Sequence, residues 1–118
     1  MIVLVCGDRN WDDEETMENF IRHLPKDTTI IHGNCRGADK MAGRLGVKYR
    51  LEVIPFDAKW DIYGRAAGPI RNKRMLDEGK PDIVVAFHRD ITKSKGTKDM
   101  VRQAEKHGVE VIIEVGTK

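Results

Sequence analysis

The sequence predicts an α/β fold: a three-layer, Rossmann-like sandwich built on a five-stranded, mainly parallel sheet of order 3-2-1-4-5. Three observations carry this. The chain has 118 residues, the size of one domain, so residues 1–118 are read as a single unit. Five short runs rich in β-branched residues punctuate it, and the segments between them carry helical periodicity or helix-boundary signals. Strands that are apolar throughout and separated by helices form parallel sheets covered on both faces, and right-handed crossovers then leave few strand orders.

The strands are expected at Ile2–Cys6, Thr28–Ile31, Leu51–Ile54, Asp82–Phe87 and Val109–Val115. Between the first two, Met17, Phe20, Ile21 and Leu24 fall on one helical face, and Pro25 stops the helix. A second helix from about Ala38 buries Ala38, Met41, Ala42 and Leu45. A third opens at Gly68-Pro69, with Pro69 at its first position and Gly79 as its C-terminal cap. It is short and polar, and it carries Arg71, Asn72, Lys73 and Arg74. The fourth starts near Thr97, buries Met100, Val101 and Ala104, and stops at Gly108.

Composition narrows the function. Twenty-one Lys and Arg against 19 Asp and Glu leave a net charge of +2, which argues against a polybasic nucleic-acid binder. The longest apolar runs are far too short to cross a bilayer, and the N-terminus lacks the basic region and cleavage site of a secretion signal, so a cytoplasmic protein is expected. Two cysteines, Cys6 and Cys35, make no disulfide framework and are expected as thiols at the ends of adjacent strands. The four histidines are scattered, so no metal site is expected. There is also no G-x-G-x-x-G or Walker A sequence to call for a cofactor.

In an open parallel sheet, ligands bind outside the carboxyl ends of the strands, where the strand order reverses. The loops at that edge hold Arg9, Arg36, Arg65, Arg89, Lys93 and Lys95, so the near-neutral total conceals a basic rim. Gly33 and Gly37 bracket a loop entering a helix, where backbone N–H groups and the helix dipole suit phosphate and Arg36 adds a fork of donors. Gly96-Thr97 repeats the device at the last helix, where Thr97 either caps the helix or offers its hydroxyl to a ligand. Arg71 and Arg74 lie one turn apart. Trp11, Trp60 and Tyr63 fall in these loops and are candidates for a wall on which a base stacks, unless the tryptophans only cover the sheet ends. Asp39 is a candidate partner for a ribose hydroxyl, or an acid favoured by the helix dipole.

These residues also carry a resemblance. Gly7-x-Arg9-x-Trp11-x-Asp13, then His32-Gly33-x-x-Arg36-Gly37-Ala38-Asp39, then Gly64-Arg65-Ala66-Ala67-Gly68-Pro69-Ile70-Arg71-Asn72-x-x-Met75, and finally Gly96-Thr97 resemble the YspA/YpsA-related branch of the SLOG superfamily. The resemblance runs over nearly the whole chain. It implies a fold like that of the LOG phosphoribohydrolases and the DprA single-strand DNA-binding proteins. It also implies a site for a nucleotide or nucleotide-derived ligand, with Gly7, Arg9, Trp11, Gly33, Arg36, Gly37, Asp39, Trp60, Tyr63, Arg71, Asn72, Met75, Gly96 and Thr97 as candidate contacts.

The LOG pattern P-G-G-x-G-T-x-x-E is only partly kept. Its Pro-Gly-Gly is missing and its glutamate position is Met100, which cannot move a proton. Asp99 and Arg71 remain as candidate catalytic residues, but Asp99 sits one residue early, about 100° around the helix. The expectation is therefore a ligand-binding module, a sensor or sequestering protein for a nucleoside phosphate or an NAD/ADP-ribose-like ligand. The alternatives are an N-glycosidase acting on nucleoside 5′-monophosphates and, more weakly, single-stranded DNA binding. A homodimer is expected from the resemblance alone.

Overall fold

The computed structural model describes residues 1–117. Its elements run β1 (Ile2–Gly7), α1 (Glu14–Arg22), β2 (Thr29–His32), α2 (Ala38–Lys48), β3 (Glu52–Pro55), α3 (Trp60–Tyr63), α4 (Ala67–Gly79), β4 (Ile83–Phe87), α5 (Gly96–Lys106) and β5 (Glu110–Glu114). All four strand pairings are parallel, and the order is β3-β2-β1-β4-β5, as expected. β2 reaches one residue further than expected because His32 pairs with both Val5 and Pro55. Pro55 is tolerated because β3 is an edge strand.

Side-chain alternation along the central strands divides the core. Val3, Val5, Val85 and Phe87 meet Met17, Ile21, Ala42 and Leu45 of α1 and α2. Leu4, Val84 and Ala86 meet Met75 and Leu76 of α4 and Met100, Val101 and Ala104 of α5. β1 and β4 are buried on both faces, which explains their unbroken apolar runs. The edge strands differ: Val53 of β3 and Val111 of β5 pack against the core, whereas Ile54 in β3 and Ile112 and Ile113 in β5 stay exposed. Among the described residues no helix is long and apolar enough to cross a membrane.

Two helix boundaries depart from expectation. α4 starts at Ala67, so Pro69 is its third residue, still in the first turn where an N–H has no intrahelical acceptor. It ends with Lys80 in the left-handed conformation (φ 47°), taking the role expected of Gly79. The segment before it holds the one-turn α3, read from sequence as loop.

Asp13 anchors one end of the molecule. Fully buried at the N-cap of α1, it accepts the Thr16 N–H (3.2 Å), the Thr16 hydroxyl (2.7 Å) and the Thr117 N–H (2.9 Å), tying the chain terminus to the first helix. The Thr117 bond, then those of Thr16, hold its carboxyl well below the usual carboxylate range. A depressed folded-state value stabilises the protein above the unfolded Asp value of about 3.9, and this contribution is lost as pH falls through and below it. Asp13→Ala is expected to cost about 2–3 kcal/mol at neutral pH, from a lost cap and donors left unpaired. The difference from the wild type should shrink below about pH 4, as measured by denaturant titration at several pH values.

Candidate functional site

A cleft of about 370 Å³ opens at the carboxyl ends of the strands, where β1 and β4 diverge into their loops. Gly7 ends β1 and Asp8, Arg9 and Asn10 follow it, while Cys35, Arg36 and Asp39 come from the β2–α2 loop and α2. Arg71, Asn72 and Met75 line it from α4, His88 follows β4, and Lys93 to Thr97 lead into α5 with Met100 behind them. A second cavity of about 290 Å³ adjoins it, lined by Gly33, Asp57 and Trp60. Arg9, Cys35, Arg36 and Arg71 border both.

Arg71 forms the floor. It is 7% exposed; its Nη1 donates to the Gly33 carbonyl (2.6 Å) and its Nε to Asn72 Oδ1 (3.0 Å). Asn72 is held in turn: its Nδ2 donates to Asp99 Oδ2 (3.0 Å) and, at 3.4 Å, to the Gly96 carbonyl. Gly33 has no side chain because one would collide with this arrangement. An added Cβ would lie 2.7 Å from Arg71 Cζ and 2.9 Å from Asp39 Oδ2.

The Gly33–Gly37 loop uses its amides differently from the sequence expectation. Gly33 and Cys35 donate their N–H groups to Asp39 Oδ2 (3.0 and 3.3 Å), Lys40 N–H bonds the Cys35 carbonyl, and Ala38 N–H bonds the Asp8 carbonyl. The loop thus closes around a carboxylate from its own helix, and the Gly33 amide is spent on it instead of facing a ligand, while Gly37 turns the chain with φ +78°. At the other candidate anion site, Ser94 Oγ accepts the Thr97 N–H (3.0 Å), while Lys95, in the N-cap position, makes no side-chain cap bond. Thr97 therefore does not cap the helix. It is buried at the edge of the cleft, with Lys93 and Lys95 alongside.

Burial pushes Asp39 up to about 6, against the Cys35 N–H, the Arg71 charge and the Gly33 N–H. Because this lies above the unfolded value of about 3.9, Asp39 favours folding most below that value, and this contribution is lost as pH rises through about 6. His32 acts in reverse. Burial lowers it to about 4 despite nearby Asp57, so the neutral ring favours folding above the unfolded value of about 6.5, and this is lost as pH falls toward 4. The two slopes oppose one another between about pH 4 and 6. Asp39→Asn, which keeps an oxygen for both amides, should gain stability relative to the wild type as pH rises through 6. A pH-independent difference in denaturant midpoint would contradict this assignment.

Other candidates fall outside the cleft. Trp11 is 3% exposed and belongs to the core, edge-on to Phe87 at 5.6 Å, with its Nε1 donating to the Asp13 carbonyl (3.1 Å). It is no stacking wall for a ligand, because its ring covers the end of the sheet. Trp60, 49% exposed, lines the adjoining cavity, whereas Tyr63 borders a small hollow with Arg71 and Arg74.

Asp99 points from α5 toward α4. Burial pushes its carboxyl up, but hydrogen bonds from Asn72, Gln103 (2.8 Å) and Arg102 (2.6 Å) prevail and hold it below the usual range. Held by three donors, the carboxylate keeps Asn72 in place. Cys6 lines the cleft as a buried thiol whose ionisation is strongly suppressed by that burial, and both cysteines are free. Sequence reasoning places Asp8, Asn10 and His88 in the loops at this edge, with His88 and His32 the two histidines near a possible site, but does not count them among the candidate contacts. Their position directly after β1 and β4 was the available signal. Among the described residues no group of three or more His, Cys, Asp or Glu is placed to hold a metal ion.

Comparison with known proteins agrees with this architecture. The gene 61 protein of Mycobacterium phage D29 is 34% identical over 119 aligned positions, covering 93% of each chain. In fold, the chain is similar to DNA processing protein A (DprA) from Streptococcus pneumoniae, with a TM-score of 0.75 over 94% of this chain at 17% identity. It spans about half the length of that chain (49%), and at this identity the likeness is one of fold alone. The model of the YspA, cpYpsA-related SLOG family matches residues 1–63, a stretch that carries β1, the Gly33–Gly37 loop and Asp39, and the chain belongs to that family.

Proposed function

We propose that the chain binds a nucleotide or nucleotide-derived small ligand, such as a nucleoside phosphate or an ADP-ribose-like molecule, as a sensor or sequestering module. The observation that carries this reading is the buried Arg71 guanidinium at the floor of a cleft rimmed by Arg9, Arg36, Lys93 and Lys95. A buried, pre-oriented guanidinium beside exposed cations suits phosphate, and the opening of α5 adds the positive end of a helix dipole. The adjoining cavity offers the exposed Trp60 ring for a base, with Arg36 and Arg71 between the two spaces.

Binding without cleavage is favoured because Met100 lines the cleft where the LOG pattern has its glutamate, and Asp99 is engaged elsewhere. The test is calorimetry of the full chain with AMP and with ADP-ribose, each mixture then assayed for free base. Saturable binding with no base released supports the reading. Base release would move the assignment to an N-glycosidase. Absence of binding to both, together with salt-sensitive binding of single-stranded DNA, would replace it with a nucleic-acid function.

A further inference from the structure

We propose that Asp8 and His88 form a clamp for a ribose hydroxyl. This assignment rests on reading the cleft as a nucleotide site and specifies what part of the ligand it recognises.

The two residues follow β1 and β4, the adjacent strands at which the strand order reverses, and both line the cleft. Their backbones are fixed: Asp8 N–H donates to the Phe87 carbonyl (3.0 Å) and His88 N–H to the Glu114 carbonyl (3.0 Å). Each side chain then has one side committed and one side open. Asp8 Oδ1 accepts the Asn10 N–H at 2.8 Å, which leaves Oδ2 directed at the imidazole. His88 Nδ1 accepts the Asp90 N–H at 3.0 Å, so the neutral ring carries its proton on Nε2. Nε2 lies 3.9 Å from Asp8 Oδ2, beyond hydrogen-bond reach.

The result is a donor and a carboxylate acceptor, both tethered, separated by a gap that they do not close themselves. A group that accepts from Nε2–H and donates to Oδ2 at once satisfies both, and a hydroxyl does this with a single oxygen. A phosphate oxygen does not, since it has no proton to give and the carboxylate repels it. The clamp therefore selects the sugar part of a nucleotide. The cations at Arg36, Arg71, Lys93 and Lys95 are left to the phosphate.

The experiment compares AMP with its 2′,3′-dideoxy analogue, which carries the same charge, by calorimetry on the wild type, Asp8→Asn and His88→Phe. Asp8→Asn keeps an oxygen for the Asn10 N–H, replaces the acceptor facing the gap by a donor and removes its charge. His88→Phe keeps a ring and removes the donor. The wild type is expected to prefer AMP by about ten- to a hundredfold, the scale of a hydrogen bond to a charged group, and both variants to lose that preference; the readout is the ratio of the two affinities within each protein, because losing the Asp8 charge alters the attraction for both nucleotides alike. Equal wild-type affinity for the two nucleotides overturns the clamp and leaves the nucleotide site standing. A preference kept by both variants overturns it as well. Failure of the wild type to bind AMP also overturns the clamp, and the nucleotide reading falls with it only if ADP-ribose fails too.

Discussion

Replacing Arg71 with alanine is expected to destabilise the fold by about 2–4 kcal/mol and to weaken nucleotide binding at least tenfold. The sequence alone points to a solvated phosphate ligand whose removal would leave stability almost unchanged. Burial reverses the stability half of that expectation. Arg71 joins the β2–α2 loop to α4 through the Gly33 carbonyl and Asn72, and its charge lowers the cost of ionised Asp39 beneath the cleft. Its loss takes the guanidinium from the Gly33 carbonyl and leaves the buried Asp39 carboxylate with only its amide bonds and more distant charge, the situation that makes single deletions in buried polar networks expensive.

Arg36 provides the contrast. It borders the same two cavities from an exposed position, so Arg36→Ala should change stability by less than about 0.5 kcal/mol while still weakening binding. Denaturant midpoints combined with calorimetry at low temperature separate the two effects. An Arg71→Ala protein as stable as the wild type would show that the network around Gly33 and Asn72 does not support the fold.

Gly37→Val should cost more than about 4 kcal/mol, enough to unfold a domain of ordinary stability. Gly37 has φ +78° and ψ −126°, a conformation that β-branched residues avoid. An added Cβ would lie 2.3 Å from the Asp8 carbonyl oxygen and 2.5 Å from the Arg9 carbonyl group. Those are backbone atoms of the β1 loop, and the same Asp8 carbonyl accepts the Ala38 N–H, so neither side can yield without opening the cleft. Gly96→Ala is the control. Its added Cβ meets nothing within 4 Å, and its φ is not among the positive ones, so a change within about 0.5 kcal/mol is expected. Circular dichroism and thermal melts report both.

The order of strands and helices was readable in the chain because it rests on local periodicity. Ile2–Cys6 and Ile83–Phe87 are apolar at every step, as strands covered on both faces must be, and Met17, Phe20 and Ile21 mark one side of α1. Strand order and the edge that carries the cleft then followed from chirality and topology, which apply to any sequence with this alternation. Most of the candidate contacts singled out there do line the cleft, Arg9, Arg36, Asp39, Arg71 and Asn72 among them.

What each of those side chains does was decided only by the tertiary structure. Trp11 went to the core because Phe87, distant in sequence, offers it an edge. Asp39 became the anion of its own loop because the Gly33 and Cys35 amides converge on it, and Asp99 became a support for Asn72 because α4 and α5 pack side by side. Asp13 was a motif residue in sequence and is a buried anchor in the fold, since its partner Thr117 lies at the far end of the chain. The sequence by itself determined the frame and the edge at which the cleft opens, because periodicity and handedness act over a few residues. The assignment of donors, acceptors and buried charges at that edge depends on contacts between residues tens of positions apart, and only the folded chain brings those together.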